Sequence, residues 1–211
     1  MRKTIVVTIL SGLIFLSACS DPAADKSRAV TGEASQTASP AAAAQGTRYL
    51  ITSQNSKIEF VGSKVTGSHN GSFQDFSGQI DYTGNVETSR VNITMKTDSL
   101  TTDTADLTKH LKTADFFDVA KYPEATFVST SIKAGGEKGA SHTVTGNLTL
   151  HGTTKSVSFP ATIAVTPDVA SVDANFSINR KDFGINYAGA ANNLIRDDVV
   201  LTLTIRANKA S

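Results

Sequence analysis

From Tyr49 towards the C-terminus, apolar and polar residues alternate with a period of two along much of the chain. Ile58 and Phe60 alternate with Lys57, Glu59 and Val61, and Val91, Ile93 and Met95 with Asn92, Thr94 and Lys96. Val144, Leu148 and Leu150 oppose Thr143, Thr145, Asn147 and Thr149, and Val157 and Phe159 oppose Ser156 and Ser158. Ile163 and Val165 continue the series. Val172, Ala174, Phe176 and Ile178 then alternate with Asp173, Asn175, Ser177 and Asn179, and Val199, Leu201, Leu203 and Ile205 with Thr202, Thr204 and Arg206. Successive strand residues point to opposite faces, so this pattern predicts strands with one apolar and one wetted face. Turn signals separate them at Tyr82-Thr83-Gly84-Asn85, Ala134-Gly135-Gly136, His151-Gly152 and Thr166-Pro167-Asp168. Short connections between half-buried strands predict an antiparallel meander. A sandwich and a barrel satisfy the alternation equally. A barrel of about eight strands can hold one small ligand, whereas a sandwich fills its centre with its own side chains.

One stretch fits neither strand nor turn. Asp103 or Thr104 can cap a short helix that carries Leu107 and Leu111 on one face and ends near Thr113. LKTADFFDVAKYPEATF follows from Leu111 and concentrates Phe116, Phe117, Tyr122 and Phe127 among charges. It leads from the helix into the next strand, with Tyr122-Pro123 shaping the turn. Its aromatics plug the core or border a bound ligand.

The N-terminal stretch is written differently. Met1-Arg2-Lys3 is a positive start, residues 4–15 are mostly apolar, and Leu16-Ser17-Ala18 is a small-residue cleavage context. The apolar run is short for a membrane-spanning helix. Leu16-Ser17-Ala18-Cys19 resembles the lipobox of bacterial lipoproteins, which implies cleavage before Cys19 and acylation of that cysteine. Ser20, not an aspartate, follows Cys19, which by resemblance to enterobacterial sorting leans towards the outer membrane. Several acyl chains, at about 0.8 kcal/mol per buried methylene, would hold the protein on a membrane. Residues 20–46 are rich in Ala, Ser, Thr and Gly, with no large apolar residue beyond Val30. Such a composition buries too little surface to offset its ordering entropy. The expectation is a flexible tether reaching about 30 Å. The predicted organisation is a signal peptide over residues 1–18, a lipidated cysteine and tether over 19–46, and one domain over 47–211.

Composition narrows the function. The chain has 211 residues, with 20 Lys and Arg against 19 Asp and Glu, so no strongly basic face is expected and nucleic acid is not an expected partner. Cys19 is the single cysteine, which leaves no internal disulfide. His69, His110, His142 and His151 have no zinc-finger, HExxH or facial-triad spacing, so no metal is expected. Asp115 with Asp118 and Asp197 with Asp198 read as solvated loops or helix caps. A catalytic reading would need two of His69, His110, Asp115 and Asp118 to meet inside a pocket. No nucleophile elbow, phosphate loop or dinucleotide fingerprint occurs. What remains is apolar surface. Each phenylalanine taken singly is a core residue; as a set they allow a full core or an apolar tunnel.

Four motifs carry a family resemblance. His110-Leu111-Lys112-Thr113-Ala114-Asp115-Phe116-Phe117-Asp118-Val119 is similar to the HLkSxDFFDv signature of YceI-like proteins. Residues 121–130, KYPEATFVST, resemble kyPxxtFxSt; residues 144–155, VTGNLTLHGTTK, resemble vtGdLTihGvTk; residues 179–185, NRKDFGI, resemble nRsdFGl. The order is the family's, and the likeness runs from Tyr49 to Ala207. It implies an all-β fold, an extended antiparallel eight-stranded β-barrel of lipocalin-like form, with one short helix. It also implies an exported, non-catalytic bacterial protein that binds polyisoprenoid or other long amphiphilic lipids inside the barrel. Two features depart from the family. Leu107-Thr108 stands where Arg-Asp is usual, and the small-residue run from Val61 to His69 replaces a Val-x-His-Leu run. The second predicts a different barrel mouth.

The resulting expectation is a lipid-anchored periplasmic barrel that binds a polyprenyl lipid or isoprenoid quinone as ligand, with no cofactor. Phe60, Phe73, Phe76, Leu111, Phe116, Phe117, Phe127, Leu148, Phe176 and Phe183 are the candidate cavity lining. Lys64, His69 and Arg180 are the candidate head-group contacts, and Cys19 is the membrane attachment. A homodimer stays open. The competing reading is a non-catalytic interaction module with a packed interior and a protein partner in the envelope; an enzyme ranks behind both.

Overall fold

The computed structural model describes residues 21–35, 46–191 and 193–211. The predicted signal peptide, Cys19 and residues 36–45 lie outside the described residues.

Two short strands, β1 (Ser27–Arg28) and β2 (Val30–Glu33), precede the barrel. The barrel begins with β3 (Thr47–Thr52), β4 (Lys57–Lys64), β5 (Gly67–Phe73), β6 (Phe76–Tyr82), β7 (Arg90–Lys96) and β8 (Leu100–Thr102). A helix, α1 (Ala105–Leu111), interrupts it. The long strands β9 (Glu124–Ala134), β10 (His142–Leu150), β11 (Thr153–Val165) and β12 (Val169–Asn179) follow. A small hairpin of β13 (Gly189–Ala190) and β14 (Asn193–Leu194) precedes the last strand, β15 (Asp198–Lys209).

Strand order decides between barrel and sandwich. The sheet runs β12-β11-β10-β9-β7-β6-β3-β15, and β15 pairs back onto β12 from Asn179↔Asp198 to Val169↔Asn208. The fold is an eight-stranded antiparallel β-barrel of lipocalin-like form. Three of its staves are bent pairs. β3 and β4 lie along the same edge of β15, β5 and β6 follow them, and β7 and β8 come next. The bends support one another: the Gln74 amide donates to the Ser99 carbonyl (3.2 Å) and the Lys96 amide to the Asp75 carbonyl (3.0 Å).

The alternating residues turn inward. Tyr49 and Ile51, Ile58 and Phe60, Ile93 and Met95, Val157 and Phe159, and Phe176 and Ile178 belong to one buried cluster. Complete burial of such a side chain contributes about 1.5–3 kcal/mol. Between Leu150 and Thr153, His151 and Gly152 both have positive φ, 50° and 73°. This is the backbone that a right-twisted two-residue hairpin requires. The predicted helix forms with Thr104 at its N-cap and ends at Leu111, two residues before Thr113.

The tether expectation fails for residues 21–35. β11 and β12 pair directly only between residues 162–165 and 170–173. Beyond that the two strands part, and the N-terminal segment enters between them. β1 runs parallel to β12, with Ser27↔Phe176, while β2 runs antiparallel to β11, from Val30↔Ser158 to Glu33↔Lys155. Val30, the segment's one large apolar residue, is 73% exposed. What orders the segment is backbone pairing with two open strand edges, which a count of apolar side chains does not register. Ala29→Pro removes the amide that donates to the Ser177 carbonyl (2.8 Å). The loss of about 1 kcal/mol should appear as several-fold faster amide exchange at residues 27–33, with the exchange of β10 unchanged.

Candidate functional site

The two ends of the barrel differ. At one end the Tyr49 hydroxyl donates to the Thr166 carbonyl (2.7 Å), and its ring meets Tyr82 edge-on at 6.4 Å. These rings close that end. At the other end α1 and the segment after it lie over the opening. The segment is a run of turns: the Phe117 amide donates to the Leu111 carbonyl (3.0 Å) and the Tyr122 amide to the Asp118 carbonyl (2.8 Å). Its exit is tied to the bend between β7 and β8, where the Thr97 hydroxyl donates to the Tyr122 carbonyl (2.7 Å). Phe116 is buried between His110 and Tyr187, at ring distances of 5.0 and 5.2 Å. Phe117 is half-buried and meets Phe73 edge-on at 5.9 Å.

Beneath this cap the side chains do not fill the barrel. A cavity of about 210 Å³ runs through it, walled almost entirely by apolar atoms. One water needs only about 10–15 Å³ of such space, but also polar partners, which this wall offers only towards the mouth. Of the candidate residues, Phe60, Phe73, Leu111, Phe116, Phe117, Phe127, Leu148 and Phe176 border the cavity. Inside, Phe176 stacks on Phe159 at 4.2 Å with the rings 7° from parallel. Phe76 and Phe183 do not line it. Phe76 is packed in the core at the start of β6, and Phe183 is completely buried in the turn after β12. Phenylalanine identity was an incomplete guide to the lining. Ile58, Ile93, Ile132, Val144, Val157 and Leu201 line the cavity too, and the period-two stripes already marked most of them.

The mouth arises where two inward stripes lose their bulk. Along β4 the lining residues Ile58 and Phe60 give way to Gly62 and Lys64. Opposite them, Phe73 gives way to Gly71 and His69, with Phe60 paired to Gly71 and Gly62 to His69. The Phe60 ring lies over Gly71 so closely that a Cβ there would come within 2.2 Å of it. His69 Nδ1 is 2.8 Å from an Asp103 carboxylate oxygen, whose partner oxygen accepts the Asn70 amide at 3.0 Å. The amide bond first, then His69, hold the Asp103 carboxyl below the usual carboxylate range.

Arg180 continues the inward stripe of β12 to the cavity wall, but four of its five N–H donors are taken. Nε donates to the Arg196 carbonyl (3.1 Å), Nη1 to the Ile185 carbonyl (2.7 Å), and Nη2 to the Ile195 carbonyl (3.4 Å) and an Asp197 carboxylate oxygen (3.2 Å). Burial lowers its pKa, with Asp197 opposing, and the guanidinium stays charged. Arg180 therefore clasps the loop between β12 and β15 while still bordering the cavity, with most of its hydrogen-bonding capacity committed to that loop. Arg196, which sequence reasoning passed over, lines the cavity too, alongside Lys64 and His69.

His110 and Asp115 do meet, at 2.8 Å, but on the outer surface of the cap and away from the cavity wall. Asp118 lies in a positive-φ turn. Among the described residues no cluster of three or more His, Cys, Asp or Glu is placed to hold a metal ion.

The YceI-like domain family matches residues 49–207. The chain belongs to the YceI-like family. A UPF0312 protein of Pseudomonas putida (strain W619) is 43% identical over 136 residues, which cover 61% of this chain and 70% of that protein. Among solved structures, Burkholderia cenocepacia BcnA superposes with a TM-score of 0.66 at 24% identity, over 74% of this chain and 99% of that one. A polyisoprenoid binding domain from Saccharophagus degradans, implicated in plant cell wall breakdown, superposes with a TM-score of 0.61 at 17% identity, over 77% and 98%. At these identities the two structural likenesses show the fold. The YceI-like signature 110–119 coincides here with the last residues of α1 and the aromatic cap.

Two variants separate core from cavity wall. Phe183→Ala should cost about 3–5 kcal/mol in chemical denaturation. Phe117→Ala should cost less than half of that, because its ring already borders open space, while weakening the binding of an apolar fluorescent dye. The Asp103 latch has its own signature. A carboxyl with a lowered folded pKa contributes stability that is present above the ordinary carboxylate pKa and lost as pH falls through the lowered value. Protection of the amides around Asn70, corrected for intrinsic exchange, should therefore drop on acidification below that range. In Asp103→Asn it should be low already at neutral pH and nearly flat.

Proposed function

We propose that this chain is a lipid-binding protein of the bacterial periplasm, anchored through acylated Cys19, whose barrel takes up the chain of a polyisoprenoid or similar amphiphilic lipid. The observation that carries the reading is the cavity itself: an apolar bore closed by tyrosines at one end and bordered by Lys64, His69 and Arg196 at the other. A long hydrocarbon chain fits such a wall because it needs no polar partner, and each Å² of apolar surface withdrawn from water contributes about 25 cal/mol. The polar end of the lipid would stay at the mouth, where Lys64, which makes no ion pair among the described residues, favours a negative or strongly accepting head group. Kinship with a barrel described as polyisoprenoid binding supports this ligand class. The lipobox-like Leu16-Ser17-Ala18-Cys19 supports the anchor, and Ser20 after it favours the outer membrane. Carriage, storage and sequestration of the lipid all follow from this one activity.

The test is uptake by delipidated protein of a long-chain quinone and of a polyprenyl phosphate. Ile93→Trp places an indole in the cavity and should weaken uptake of both by about tenfold or more, equal to 1.4 kcal/mol, with little loss of stability. Lys64→Ala should weaken the phosphate by about 1 kcal/mol or less and leave the quinone nearly unaffected. Failure of the unaltered protein to take up either lipid would overturn the proposal.

A further inference from the structure

The N-terminal segment is fixed at the mouth, not merely near the barrel. The Asp21 carboxylate accepts from Arg196 Nη1 at 3.0 Å, and Arg196 is part of the cavity wall. From there the chain turns, with the Ala24 amide donating to the Asp21 carbonyl (3.1 Å), and enters the gap between β11 and β12 as β1 and β2. Side chains pin it further. Arg28 pairs with Asp198 (3.1 Å), Lys155 with Glu33 (2.8 Å), and Asn147 exchanges two hydrogen bonds with the Ser35 backbone (3.0 and 2.7 Å).

This placement changes the length of the leash. Cys19 precedes Asp21 by two residues, and two residues span at most about 7 Å of extended chain. A tether free up to Gly46 would let the barrel tumble well clear of a bilayer; a chain pinned from Asp21 does not. The surface beside the mouth is suited to such proximity. Val65 (56% exposed) and Leu194 (50% exposed) are adjacent, the Val65 amide donating to the Leu194 carbonyl (3.2 Å), and Tyr187 is a third exposed apolar residue at this end. Lys64, next to Val65, makes no ion pair among the described residues. Apolar tips beside basic groups are what an anionic lipid surface accepts.

Resting on the anchor reading above, we infer that residues 21–35 form a rigid bracket that holds the barrel mouth against the leaflet in which Cys19 is anchored. Val65, Leu194 and Tyr187 dip into the head-group layer. A lipid then passes between leaflet and cavity along a short apolar path, without crossing water. The partner surface is the bilayer itself.

The test uses the full acylated chain in vesicles of phosphatidylethanolamine and phosphatidylglycerol. Nitroxide labels are placed singly at Val65→Cys, Leu194→Cys and, as the reference at the closed end, Leu50→Cys. The expected result is that labels at 65 and 194 are reached by a lipid-soluble relaxation agent, and the label at 50 by a water-soluble one. A flexible insertion between Ser20 and Asp21, which keeps both anchor and bracket, should shift the first two labels towards water. If all three labels are aqueous while mass spectrometry shows Cys19 acylated, the docked orientation is wrong and the anchor stands. If labels 65 and 194 stay in lipid after the insertion, the bracket is wrong. If Cys19 carries no acyl chain, anchor and bracket fall together.

Discussion

Closure of the sheet between β12 and β15 is the constraint on which the rest of this structure depends. An eight-stranded sheet with an apolar face must either pack that face on something or roll up around it. Here the last strand pairs along the whole of β12, and the apolar stripes become an interior. Closure also removes most of the open strand edges that would otherwise invite pairing with other chains. A local relaxation of this closure is the parting of β11 and β12. The edges it exposes are taken up by the chain's own residues 27–33.

The cavity follows from the same closure together with residue size. Rings and branched aliphatics cover the wall but do not meet across the middle, and among the described residues the polar side chains of the lining gather at the mouth. At the mouth Gly62 and Gly71 interrupt two stripes, and the next inward positions are Lys64 and His69. Position along a stripe thus becomes depth in a pocket: aromatic closure, apolar wall, small residues, then charge. The aromatic segment after α1 finds its place in that series. Phe116 is sealed by its neighbours and Phe117 faces the cavity, so the segment is both plug and wall.

Much of this was legible in the sequence. Period two marked the strands and their inward faces, and the small-residue run between Val61 and His69 falls at the mouth. Three things were not legible. That β3 with β4, β5 with β6 and β7 with β8 act as single bent staves depends on bends that bond each other across strands. The charge of Arg180 ends an inward stripe, but the carbonyls that occupy most of its donors come from the irregular loop that follows, which no hydrophobic period marks. Residues 21–35 looked unstructured because their order comes from backbone hydrogen bonds to strand edges, and composition reports only side-chain burial. The same segment shows how a chain can be poor in apolar residues and still be part of a fold.

The central claim is that the barrel is built around a space for a lipid chain. Native mass spectrometry of the protein purified gently from its own membrane tests it most directly. The account predicts a bound species of one long-chain lipid per barrel, released on activation and identifiable after extraction. A single mass equal to the protein and its covalent modifications, unchanged on incubation with polyprenyl lipid or quinone, would contradict it.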